Sequence, residues 1–224
     1  VTLSTIGFGM GNYRAELMEQ LGDRGNGNNY YVDSAAAATK LFTTDLVAML
    51  EVAAKDVKLQ VDFDPTMVAR YRLLGYENRA IADADFRVDT VDAGEVGVGH
   101  QVTALYEVVL TARASQTTPL GAVRIRYKAP RAGDADPARE EAFAMASGPA
   151  ATFASAPADL RFATAAAGFA DVLRGAEDAQ RWSLTQIADV ARATAGGDAA
   201  RRELVGLIDA ARRLRGEPAA LVAR

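Results

Sequence analysis

Residues 1–33, VTLSTIGFGMGNYRAELMEQLGDRGNGNNYYVD, begin with a β-branched apolar run, place glycines at positions 7, 9 and 11, and end a second apolar run on an acid. Thr2 to Phe8 carries no helical stripe and reads as a strand buried on both faces. Asn12 can cap a helix in which Tyr13, Leu17, Met18 and Leu21 recur at three-to-four spacing, and Gly22, Gly25 and Gly27 offer its exit. Tyr30 to Val32 then forms a short second strand. Asp33 or Ser34 caps a longer helix with Ala38, Leu41, Phe42, Leu46, Met49 and Leu50 on one side. The first fifty residues therefore read as βαβα with parallel strands.

A glycine turn between strand and helix can cradle a pyrophosphate. The dinucleotide motif G-x-G-x-x-G, counted from Gly7, requires its third glycine at position 12, where the chain has Asn12; the glycine falls at Gly11 instead. The glycines are thus expected to turn the chain. The competing reading is an enzyme that binds a dinucleotide at the Gly7-Gly9-Gly11 turn.

Further along, the periodicity changes to alternation. Val57, Leu59, Val61 and Phe63 point one way, Lys58, Gln60 and Asp62 the other, and Pro65 ends the run. Val68 to Tyr76, Gln101 to Leu110 and Val123 to Tyr127 read as further strands, without intervening helices. An antiparallel sheet or sandwich is expected, with VKLQVDF, QVTALYEVVL and VRIRY in one sheet and Val57, Leu59, Val61, Phe63, Val123, Ile125 and Tyr127 buried. Residues 131–157, rich in alanine, glycine and proline, read as a linker with one short helix around Glu140 to Met145. Three helices complete the chain. Asp159 is expected to cap one with Phe162, Ala166, Phe169, Val172 and Leu173 inward, and Ser183 one with Leu184, Ile187 and Ala191 inward. The third follows Asp198, with Leu204, Leu207, Ile208, Ala211 and Leu214 on its apolar face. The fold class is α+β.

Composition narrows the function. Half of the 224 residues are hydrophobic, which allows a sizeable core. The net charge of -4 is spread over the chain without a polybasic block, so nucleic acid is not an expected partner. No apolar stretch reaches the roughly 18 to 20 residues of a transmembrane segment. The chain has no cysteine, which excludes disulfides, thiol catalysis and cysteine-bound zinc.

Asp83, Asp85, Asp89, Asp92 and Glu95 crowd into one stretch and form a candidate ion or partner loop. The EF-hand template fails there, because its third ligand position is Arg87 and its glycine position is Val88. His100 is the only histidine, and no G-x-S-x-G accompanies it; a turn or strand-edge position is expected. Trp182 with Arg181 could anchor a partner, although core packing is the commoner use of a lone tryptophan.

Taken together, LSTIGFGMGNY (3–13), LMEQLGDRGNGNNYYVDS (17–34), AKDVKLQVDFDP (54–65), YRLLGYENRAIADADFRVDTVDAGEVGVGHQVTALYEV (71–108) and VRIRYKAP (123–130) resemble a bacterial family. In that family a von Willebrand factor type A domain precedes a C-terminal domain of unknown function. The resemblance implies that residues 1–51 are the C-terminal βαβα remnant of a doubly wound type A sheet. An antiparallel, sandwich-like β-rich domain (52–130), the linker (131–157), a helical subdomain (158–215) and a tail (216–224) follow. It implies a non-enzymatic protein-interaction module of the bacterial cell envelope, periplasmic or lipid-anchored as in a lipoprotein, with an unidentified protein partner. The divalent-cation ligands of type A domains, a D-x-S-x-S motif with a threonine and an aspartate, are expected upstream. No metal or cofactor residue is therefore carried over to this chain, and magnesium is expected only in the full-length protein. Because the apolar faces of residues 1–51 are built for larger surroundings, self-association through this segment is expected, the alternative being that it folds back onto the β-rich domain.

Overall fold

In the computed structural model, the described residues are 3–9, 13–46, 51–74, 80–91, 93–133, 135–146, 152–176 and 182–217. They fall into two compact units. The first comprises residues 1–63, 79–102 and 121–145, and the second 64–78, 103–120 and 146–224.

The first unit begins with strand β1 (Leu3–Phe8), helix α1 (Ala15–Arg24), strand β2 (Asn26–Val32) and helix α2 (Ala35–Lys40), which runs on as a π-helical turn over Leu41–Asp45. β1 and β2 pair in parallel, with Ile6 opposite Tyr30 and Phe8 opposite Val32. The expected βαβα order is present. β2 starts earlier than its apolar residues suggest, because Asn26 to Asn29 extend along β1 and a Cβ at Gly27 would lie 2.2 Å from the Leu3 carbonyl oxygen. Thr5 is buried, and its hydroxyl donates to the Met18 carbonyl at 2.9 Å, tying α1 to the strand. Ser34 caps α2 by accepting from the Ala37 amide.

Two expectations for this segment are corrected. Leu3 and Phe8 are exposed, so β1 is not buried on both faces, and Leu17 and Leu21 on α1 are exposed as well. Among the described residues the sheet has two strands, so parts of the faces that apolar spacing marks for burial meet no covering layer there. α1 is preceded by Arg14 without a side-chain cap; Asn12, Met49 and Leu50 lie outside the described residues.

The rest of this unit is an antiparallel sheet of β3 (Val52–Phe63), β5 (Val96–Gly97), β7 (Gly121–Lys128) and β8 (Arg139–Ala144), in the order β5-β3-β7-β8. The strand at 139–144 replaces the short helix expected near Glu140 to Met145. Its residues are poor strand formers, and the ladder with β7 extends them, Val123 opposite Phe143 and Arg126 opposite Glu140. A bulge in β3 between Lys55 and Lys58 places Asp56 at φ 49°, a left-handed position that aspartate tolerates.

The second unit holds β4 (Val68–Leu74) and β6 (Leu105–Leu110), paired with each other as a separate two-stranded antiparallel sheet. QVTALYEVVL therefore does not share a sheet with VKLQVDF and VRIRY, contrary to expectation. Alternation marks a strand without naming its neighbour, and the turn around Asp64 to Met67 directs β4 toward β6, with the Thr111 amide donating to the Met67 carbonyl.

Helices α3 (Ala158–Arg174), α4 (Leu184–Thr194) and α5 (Ala199–Leu214) complete the second unit. Their shared core is Ala165, Phe169, Val172, Leu184, Ile187, Ala188, Ala191 and Ile208. Ser183 and Gln186 form a capping box on α4, and the Asp198 carboxylate accepts from the Arg201 amide at the start of α5. α3 starts one residue before Asp159, after Pro157, so Asp159 does not cap it and instead pairs with Arg201 at 2.7 Å. Leu173, Leu207 and Leu214 are exposed rather than inward. Each lies toward the edge of its helix's apolar stripe, beyond the reach of the helix packed against it.

Candidate functional site

The antiparallel ladder divides the β3–β7–β8 sheet into two unlike faces. Residues directly opposite one another share a face. Lys58, Arg126 and Glu140 therefore stand in one row, and Gln60, Arg124 and Ala142 in the next. On the other face, Leu59, Ile125 and Glu141 form one row, and Val61, Val123 and Phe143 another.

The charged face is the covered one. Residues 83–89 lie against it and are fastened by side chains of the sheet. Lys58, only 3% exposed, donates from Nζ to the Val88 carbonyl at 2.6 Å and to the Asp85 carbonyl at 3.5 Å. Arg126 donates to Asp89 at 2.7 Å, and Arg87 reaches back from the loop to grip Glu140 through Nε and Nη2 at 2.9 and 2.7 Å. Lys128, also 3% exposed, pairs with Asp56 at 2.9 Å, the contact that the left-handed bulge residue provides. Arg124 pairs with Asp62 at 2.7 Å, and Phe86 of the loop is buried at 4% exposure. Burying an ammonium ion is tolerable only with such partners.

The apolar face is the open one. Leu59 is 59% exposed and Phe143 50%, and Val61, Val123 and Ile125 are half-buried. This reverses the expectation that Val57, Leu59, Val61, Phe63, Val123, Ile125 and Tyr127 are buried; all the others are intermediate in exposure. Alternation separates the faces, but the pairing of Lys58 and Arg126 with a distant loop decides which is covered. Tyr127 donates its hydroxyl to Glu141 at 2.6 Å on the apolar side, a bond that raises the tyrosine's pKa.

These contacts give the loop a defined response to acid. The hydrogen bond from Arg126 lowers the pKa of Asp89, and that from Arg87 lowers the pKa of Glu140. With folded-state values below the unfolded ones, both pairs stabilise fully above the usual carboxylate range near ~4 and are lost as pH falls through the lowered values. Amide exchange over residues 83–91, corrected for its intrinsic rate, should stay constant from ~pH 7 to ~5 and accelerate below ~4. Acceleration already at ~pH 6 would show that other groups hold the loop.

The acidic residues singled out from sequence are dispersed over this cover. Asp83 and Asp85 sit in a 3-10 turn, Asp89 serves Arg126, and Glu95 enters β5 with Oε2 buried and without a hydrogen-bond partner among the described residues. Asp92 lies outside the described residues. Among the described residues no three acidic or histidine side chains gather in a metal-sized group. His100 is exposed in the turn after β5, its amide donating to the Gly97 carbonyl. Trp182 packs against the helical core and meets Phe153 edge-on at 6.4 Å; Arg181 lies outside the described residues.

At the glycine turn, a Cβ on Gly7 would lie 2.0 Å from Cε2 of Tyr13, so this glycine makes room for a tyrosine ring. Tyr13 stacks at a tilt on Tyr31, whose hydroxyl donates to the Gly9 carbonyl at 3.0 Å. Gly11 lies outside the described residues.

In the second unit, a shallow depression is lined by Arg70, Tyr71, Arg72, Glu107 and Val109. Arg72 bonds Glu107 at 2.7 Å and lies 3.6 Å from Asp171, a carboxylate on α3 that is 4% exposed and also held by Arg174. This network fastens α3 to the β4–β6 pair. Sequence spacing missed Asp171, because its neighbours Phe169 and Val172 read as an uninterrupted core stripe.

A family described as "Uncharacterized protein YfbK, C-terminal" matches residues 48–214, which contain the two-faced sheet, its cover and all three C-terminal helices. The chain belongs to the YfbK C-terminal family. It is similar to the "Uncharacterized protein YfbK" of Escherichia coli (strain K12), 34% identical over 231 residues that cover 94% of this chain and 39% of that relative. The chain thus spans well under half the length of the curated relative it matches. No solved structure matches it. The YfbK C-terminal match starts where the βαβα ends, so β1 to α2 lie outside it. No helix among the described residues is long and apolar enough to cross a membrane.

Proposed function

We propose that the chain is a non-enzymatic protein-interaction module of a bacterial envelope protein, and that a partner protein covers the apolar face of the β3–β7–β8 sheet. The observation that carries this reading is the apolar face on which Leu59 and Phe143 are exposed beside half-buried Val61, Val123 and Ile125, set against the elaborate covering of the charged face. Contiguous apolar surface left in water marks a contact site, and burying it contributes about 25 cal/mol per Å².

In this reading β1 to α2 are the closing βαβα of a type A-like domain. Their position before the YfbK C-terminal match and their parallel pairing support that view. Envelope location, a lipid anchor and a magnesium site in the full-length protein come with the same reading. Self-association through residues 1–51 is its corollary for the isolated chain, supported by exposed Leu3, Phe8, Leu17 and Leu21.

The test is capture of partners by full-length protein, with and without magnesium, comparing the natural sequence with Leu59→Ser. Leu59 is exposed, so the variant should keep its melting temperature while losing at least ~10-fold in partner affinity, about 1.4 kcal/mol. Equal capture by both proteins would show that this face is not the interface.

A further inference from the structure

We infer that β8 pairs with β8 of a second copy of this chain, joining two sheets edge to edge about a two-fold axis at Glu140. β8 ends the order β5-β3-β7-β8, and all six of its residues are exposed. The Met145 amide donates to the Gly121 carbonyl at 2.9 Å, continuing the register that sets Phe143 opposite Val123. Hydrogen-bonded residues alternate in an antiparallel ladder, so odd-numbered residues of this strand bond to β7. The amides and carbonyls of Ala138, Glu140, Ala142 and Ala144 therefore point outward, with no backbone partner among the described residues.

Charge selects both the occupant and the register. With the axis at Glu140, each Arg139 lies opposite the second copy's Glu141 in the closer, non-hydrogen-bonded type of pair, and each Phe143 lies opposite Pro137. Pro137 is odd-numbered, so its missing N–H takes nothing from the outer edge. The two Glu140 side chains meet across the axis on the charged face, where each is already held by Arg87. Shifting the axis to residue 141 sets Glu141 against Glu141, and shifting it to 142 sets Glu141 against Phe143. Both are worse. An isologous pair in this register closes two open edges at once and extends the apolar face across both copies.

Sedimentation of the full chain over a concentration series tests the inference. The natural sequence should form a dimer. Glu141→Arg should weaken it at least ~10-fold, because Arg139 then meets a like charge, and the exchanged pair R139E/E141R should recover to within ~3-fold of the natural sequence. Ala142→Pro removes one outward amide, leaves the β7 ladder intact and should also weaken the dimer at least ~10-fold. Circular dichroism melts identify any variant that fails to fold, and the remaining variants then decide. A chain monomeric at every concentration would overturn the inference, even if it takes up an extended peptide along β8. So would a dimer indifferent to both Ala142→Pro and Glu141→Arg, including one held by residues 1–51. Leu59 is absent from this contact, so partner capture and dimerisation fail independently.

Discussion

Lys58→Ala should destabilise the protein by roughly 3 kcal/mol, whereas Leu59→Ser, one residue along the same strand, should change stability by no more than ~1 kcal/mol. Conventional reading of an alternating strand assigns the larger loss to the leucine. The geometry reverses the order, since Lys58 is 3% exposed and Leu59 is 59% exposed. Removing the ammonium leaves the carbonyls of Val88 and Asp85 without their donor and hollows the space beneath the cover. Urea unfolding of both variants reads the comparison directly. A larger loss for Leu59→Ser than for Lys58→Ala would mean that the apolar face is the buried one.

A comparable loss is expected in the helical subdomain. Ile187 is fully buried between α3 and α5, and Ile187→Ala should cost about 3 to 4 kcal/mol through lost contacts and the cavity left behind. Leu207→Ala, on the same bundle but 55% exposed, should cost less than ~1 kcal/mol. Calorimetric scans of the two variants separate them. Similar melting temperatures would show that α5 turns a different side toward α4.

The parts of the fold legible in sequence are those governed by local rules. Parallel β1 and β2 follow from two apolar runs separated by a helical stripe, and the caps at Ser34, Ser183 and Asp198 follow from residue chemistry at helix starts. β3 and β7 were legible as strands through their alternation. What depends on distant partners was not. β8 reads as linker until β7 supplies its ladder, and β6 pairs with β4 because a turn directs it there. Asp171 finds Arg72 on a strand far away in sequence. The acidic stretch was legible as one loop, but its task was not. The backbone oxygens of Asp85 and Val88 and the Asp89 carboxylate serve Lys58 and Arg126, a use of an acidic segment that no spacing template encodes.

Hydroxyl-radical footprinting of the folded chain, at a concentration that keeps it monomeric and normalised to the unfolded chain, tests most directly which face of the sheet is open. Leu59 should be oxidised at close to its unfolded rate, while Phe86, 4% exposed within the charge-fastened cover, should be strongly protected. Protection of Leu59 together with rapid oxidation of Phe86 would contradict the account.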